Sequence, residues 1–218
     1  MQHAIFQSFI NNAIAVLQES TDMLGLAIAG SWITHETDSF SDLDLVLVST
    51  TKISDNPEQM KAVANQLGTV LSAFTGEHVG ETRLLICLYN NPLLHVDIKF
   101  LTLDEFHHRI ENPVVVWERD HQLTNVIQET PAVWPYPDYQ WIEDRFWVWI
   151  HYATLKIGRG ELLEAFDFLG FIRMMVLGPL LHIKNGNQPR GVRKVETKLA
   201  LEDFAELRKT VVPMTKTD

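Results

Sequence analysis

Three aspartates in this 218-residue chain are spaced for chemistry. Asp42 and Asp44 stand in Ser41-Asp42-Leu43-Asp44-Leu45, which follows Gly30-Ser31 after a nine-residue loop, and Asp97 stands in His95-Val96-Asp97-Ile98-Lys99. On an extended strand successive side chains alternate faces, so Asp42 and Asp44 project together while Leu43 and Leu45 enter a core. The same alternation puts His95, Asp97 and Lys99 on one face of a later strand, with Val96, Ile98 and Phe100 behind it. If the two strands are neighbours, three carboxylates converge. Clustered carboxylates repel one another, and one takes up a proton unless a cation keeps them all ionised. Oxygen ligands without cysteine favour Mg2+, which fills its other positions with water and substrate phosphates. A pair of such ions serves phosphoryl or nucleotidyl transfer. Gly30-Ser31 supplies the complement, because a strand ending in glycine turns backbone N–H groups and a hydroxyl toward polyphosphate oxygens. Ser41, beside the acids, joins this phosphate-binding set. Lys99 fits either a phosphate contact or a surface ion pair. The chain has no Gly-x-x-x-x-Gly-Lys-[Ser/Thr] loop to compete with this reading.

Strands must hold these groups, and the apolar pattern supplies them. Residues 24–30 and 43–48 are short apolar runs that predict strands. Residues 83–89 and 93–101 flank the turn-forming tripeptide Asn90-Asn91-Pro92 and predict a hairpin. Helical spacing predicts helices over 5–17 and over 57–71, the second with Pro57 in its first turn. Three prolines in residues 131–137, Pro-Ala-Val-Trp-Pro-Tyr-Pro, interrupt every period and mark a domain boundary. Beyond it, helical patterns over 141–157, 161–181 and 195–211 predict a small bundle. The fold class expected is α+β: a mixed β-sheet with flanking helices over 1–135, followed by a C-terminal helical bundle over 136–218.

Composition narrows the partners. With 46% hydrophobic residues the chain can bury one sizeable core and a second small one. The net charge of -10 disfavours long nucleic acid, whose backbone asks for a basic face. Cys87 is the single cysteine and lies in an apolar run, so it reads as a buried hydrophobe in a reducing compartment, and a cytoplasmic location is expected. The first residues lack the pattern of a secretory signal. The most apolar stretch, residues 166–181, includes Asp167 and Arg173 and reads as too short and too interrupted to span a bilayer, so no membrane partner is expected. Residues 184–198 carry the one basic concentration. Glu161, Glu164 and Asp167 share a helix face, either simply solvated or attractive to a cationic molecule.

Through Gly30, Ser31, Asp42, Asp44 and Asp97 the chain resembles the polymerase-β-like nucleotidyltransferase superfamily, whose signature is an apolar strand, Gly-Ser, a spacer, Asp-x-Asp and a third acid on a later strand. Arg145-Phe-Trp, Tyr152, Lys156 and Arg159-Gly-Glu161 look like the helical domain of aminoglycoside and lincosamide adenylyltransferases. Thr34-His35-Glu36 stands where many relatives have an arginine-containing triplet, so that arginine's contact is not supplied there. The resemblance implies transfer of AMP from ATP, or of another nucleoside monophosphate from its NTP, to a hydroxyl of a small molecule, with antibiotics among the acceptors it suggests. It implies Mg2+, two ions, held by Asp42, Asp44 and Asp97, with Glu161 a further catalytic carboxylate, in a monomer or homodimer. Two other roles fit the same fold: an antitoxin-like binding protein without catalysis, and an enzyme that nucleotidylates a protein.

Overall fold

A computed structural model describes residues 2–211. The chain forms two compact units, Met1–Trp134 and Pro135–Asp218.

The first unit is built on one mixed sheet. In chain order it holds α1 (Gln2–Leu17), β1 (Met23–Ile28), β2 (Leu43–Ser49), α2 (Pro57–Leu67), β3 (Val70–Gly76), β4 (Glu81–Tyr89), β5 (Leu94–Thr102), α3 (Leu103–Phe106), β6 (Val114–Glu118) and α4 (Gln122–Glu129). Among the described residues the sheet order is β3-β4-β5-β2-β1-β6. Only β2 and β5 run parallel; the other neighbours are antiparallel. The two halves of the site motif are therefore on adjacent strands, with Asp44 opposite Asp97.

Burial on both faces explains why β1 and β2 read as continuous apolar runs. On one face Leu45 and Leu47 meet Phe6 and Ile10 of α1 and Met60 of α2. On the other Val46, Val48 and Leu101 meet Phe106 of α3 and Leu123 of α4. Asn56 caps α2, its side-chain oxygen accepting from the Glu58 and Gln59 N–H groups, and Pro57 occupies the first turn. Tyr89 ties sheet to helix: its buried hydroxyl donates to the Ala64 carbonyl at 2.9 Å.

The sequence reading errs in three places here. The helix expected over 57–71 stops at Leu67, because Gly68 is extended and Val70 begins β3. Leu71 keeps the helical spacing but is an exposed strand residue. The sequence reading assigns neither β6 nor α4: β6 is half-exposed along most of its length, so its apolar alternation is blurred, whereas α4 does carry Leu123, Val126 and Ile127 at helical spacing, but over only eight residues.

The second unit contains α5 (Tyr139–Gly158), α6 (Leu162–Ile172), α7 (Gly178–Lys184), α8 (Val195–Lys198) and α9 (Leu201–Lys209). The helix expected over 195–211 is broken at the extended Leu199 and Ala200. A π-helical turn, Arg173–Leu177, joins α6 to α7, so residues Leu162–Lys184 form one long helix. This corrects the sequence estimate: at 23 residues and a mean hydropathy of 1.5 the helix is long and apolar enough to cross a membrane by length and composition. Its Ile172 and Val176 are buried with Ile142 of α5, and Arg173 donates to the Thr210 carbonyl at 2.8 Å, but only 28% of the helix's apolar window is buried.

Candidate functional site

Alternation along β2 sends Val46 and Val48 into the second core, and Asp44 continues that row toward the start of the strand. On β5 Asp97 and Lys99 precede Leu101 in the same way. Both rows turn from apolar to charged at the same end of the parallel pair, so the sheet itself sets the acids side by side.

The turn after β1 completes this end. The Ala29 N–H donates to the Asp44 carbonyl at 2.9 Å, continuing the β1–β2 ladder, and Gly30–Trp32 then form a 3-10 turn. Trp32 anchors the turn against the first core. Gly30 adopts φ +63°, a left-handed conformation that favours glycine. A Cβ there would lie 1.9 Å from Asp44 Oδ2, so Gly30 also makes room for the Asp44 carboxylate. Before Asp42, Asp38 and Ser41 cap each other: Asp38 N–H donates to Ser41 Oγ at 2.9 Å and Ser41 Oγ donates to Asp38 Oδ1 at 3.1 Å. That turn fixes the approach of the chain to Asp42.

Asp42, His95 and Asp97 each present a ligand atom within 4.8 Å of the others. Asp42 and Asp97 are half-buried and His95 is exposed. His95 Nε2 lies 3.0 Å from Asp97 Oδ1. Burial pushes the Asp97 carboxyl above its ordinary value; the His95 ring pulls it back and the Asp42 charge raises it further. A buried carboxylate beside a second one, with an imidazole at hand, is a donor set that gains by holding a cation. The residues present thus fit a divalent ion, with Asp44 adjacent through its pairing with Asp97.

Not every expected group stands as the sequence suggested. Asp42 and Asp97 come together, but the third member of the cluster is His95, while Asp44 lies under Gly30. Asp42 precedes β2 rather than lying within it, which frees its side chain from strict alternation with Asp44. The Gly30 N–H, expected to be open to a phosphate, donates to Glu111 Oε1 at 3.1 Å. The Ser31 hydroxyl has no partner among the described residues. Ser41 Oγ serves the Asp38 turn. Lys99 Nζ lies 2.7 Å from Glu81 Oε2, and Arg83 holds the same carboxylate with Nε and Nη2, both at 2.7 Å. These bonds, those of Arg83 first, bring Glu81 down to about 2.

Glu161 belongs to the second unit, where Lys156 lies 2.8 Å from it and 2.9 Å from Glu164. Tyr152 donates to Glu164 at 2.6 Å. Both carboxylates raise the Lys156 ammonium above its ordinary value. Glu164 and Asp167 rim an aromatic groove of about 510 Å3 with Trp149, Tyr152, Phe168 and Phe171. In the late basic segment Lys184 pairs with Asp203. Cys87 is buried, and burial pushes its thiol up to about 12, so it stays protonated and inert.

His95 and Glu111 are the groups the sequence reading did not assign. Strand alternation already put His95 on the face of Asp97, so its place was legible and its partner was not. Glu111 lies in an irregular stretch with no period to mark it.

No family model matches the chain, and no curated protein matches it in sequence. Among solved structures, a nucleotidyltransferase-like protein from Exiguobacterium sibiricum is similar at 12% identity and a TM-score of 0.42, over 96% of this chain and 68% of that one. A likeness so remote adds nothing to the geometry.

Proposed function

We propose that the chain is a metal-dependent nucleotidyltransferase that moves a nucleoside monophosphate, in the first instance AMP from ATP, to a hydroxyl of a small molecule. The observation that carries this reading is the parallel register of β2 and β5. It sets Asp44 beside Asp97 and leaves Asp42, His95 and Asp97 within 4.8 Å of one another, next to the glycine turn.

Asp42 and Asp97, with Asp44 beside them, are the groups to hold the metal. A divalent ion there supplies neutralisation of the triphosphate and of the pyrophosphate that leaves. Ser31 offers its hydroxyl to the terminal phosphates. The Gly30 N–H joins it when Glu111 releases that donor. Asp97, kept basic by burial, accepts the proton of the acceptor hydroxyl as its oxygen attacks the α-phosphorus. The bond from that phosphorus to the β-phosphate oxygen breaks, and pyrophosphate departs. Orientation and charge complementarity supply most of the acceleration. A cationic acceptor, aminoglycosides among that class, is in keeping with the chain's net charge of -10.

The test is pyrophosphate release with ATP, GTP, CTP and UTP across a panel of hydroxylated small molecules, amino sugars included, beside Asp42→Ala. Release that requires one nucleotide and one acceptor and is lost in the variant is the expected result. Equal background in both proteins across the whole panel overturns the reading.

A further inference from the structure

The side chains that could hold a metal do not offer oxygen alone. Of the three groups whose ligand atoms converge within 4.8 Å, one is the imidazole of His95. We infer that this site is a mixed nitrogen and oxygen centre, formed by Asp42, His95 and Asp97, and that His95 sets its preference for Mn2+ and Zn2+ over Mg2+. The inference rests on the proposed function only in sharing its site; it names the ion that the site selects.

Geometry and donor chemistry support it together. Ligand atoms at about 2.1 Å from one ion and at right angles are roughly 3.0 Å apart. The His95 Nε2 to Asp97 Oδ1 separation is 3.0 Å, so the two atoms already stand as neighbouring ligands. Asp42 needs only to close from within 4.8 Å. The Nε2 lone pair becomes available when the ring proton resides on Nδ1, and no backbone movement is involved. His95 is about half exposed, which leaves the outer side of the site open to water and substrate oxygens.

Mg2+ is a hard ion that prefers oxygen and gives up water reluctantly, whereas imidazole suits Mn2+, and Zn2+ more strongly. Sites made only of oxygen also favour transition ions to some degree. The deciding quantity is therefore how the ratio of affinities changes when His95 alone is changed.

The experiment titrates the full chain, without nucleotide, with Mn2+, Zn2+ and Mg2+, following Mn2+ by electron paramagnetic resonance and the other two ions by their competition with it. His95→Ala should weaken Zn2+ by at least about tenfold and Mn2+ by a smaller factor, with Mg2+ changed less than about twofold. His95→Asp should lower the Zn2+ to Mg2+ ratio by at least about tenfold through a third oxygen ligand. Asp42→Asn should weaken all three ions. Unaltered thermal melts show that the variants fold. If His95→Ala binds Zn2+ as tightly as the wild type, or if His95→Asp leaves the ratio unchanged, the inference is wrong. Failure of nucleotidyl transfer with this selectivity intact would remove the proposed function and leave the mixed site standing. Transfer with no effect of His95 on metal preference would do the reverse.

Discussion

At Gly30 one residue type meets two separate demands. Its φ of +63° is costly for any side chain, and the space where a Cβ would stand is filled by Asp44 Oδ2. Alanine in a left-handed conformation costs about 1–2 kcal/mol, a loss that the fold registers. The displaced Asp44 carboxylate is a loss that the site registers, and an error of about 1 Å in a reacting group can cost roughly a hundredfold in rate. Gly30→Ala should therefore lower stability in denaturant titration by about 1–2 kcal/mol. It should reduce pyrophosphate release by about a hundredfold under conditions where the protein remains folded. Activity that falls only with the folded fraction would mean that Gly30 does not position Asp44. Gly30, Asp42, Asp44 and Asp97 were legible from residue type and alternation. The roles of Asp44 and His95 were not, because they depend on Asp42 leaving the strand and on the turn of Gly30 folding back over it.

Elements carry the charges that surround the site, and here β4 and β5 are linked by more than their ladder. Glu81 of β4 accepts from Arg83 of its own strand and from Lys99 of β5, and these bonds hold its carboxyl at about 2 against an ordinary 4.5. A carboxyl lowered on folding contributes stability that is complete above its unfolded value and disappears as pH falls through the folded one. Glu81→Gln should be less stable than the wild type by about 1.5 kcal/mol at pH 7, a charged hydrogen bond at the lower end of the usual range because the groups are partly solvated. Urea denaturation at a series of pH values should show that deficit shrinking between pH 4.5 and 2. A deficit independent of pH would assign the effect to packing. Asp97 works in the opposite sense: its carboxyl is raised, so its ionised form weakens the fold as pH climbs past the ordinary value of 3.8. The neighbouring β2 was readable because both its faces are buried and its run is apolar but for Asp44, and β5 because apolar Val96, Ile98 and Phe100 alternate with His95, Asp97 and Lys99. β3 was hidden because Met60, Val63, Leu67 and Leu71 keep a helical period straight through Gly68, where the backbone becomes extended.

On the scale of the whole molecule, each unit has its own apolar interior. The sheet clusters draw only on residues up to Ile127, and the helical clusters begin at Ile142. The prolines of residues 131–137 deny the chain a continuous helix or strand between them. The long helix Leu162–Lys184 was underestimated, since Asp167 and Arg173 interrupt its apolar run in sequence without interrupting the helix in space. What seats that helix is a small core, with Ile172 and Val176 against Ile142. Removing the Ile172 side chain, which is only 2% exposed, leaves a cavity worth about 2–5 kcal/mol. In Ile172→Ala that cost should fall on the helical unit alone, so calorimetry should show an early transition separated from that of the sheet unit. Mn2+ binding should persist after the first transition and vanish with the second, because Asp42, His95 and Asp97 all belong to Met1–Trp134. A single transition shifted as a whole, with metal lost in the same step, would show that the two interiors unfold as one despite their separate cores.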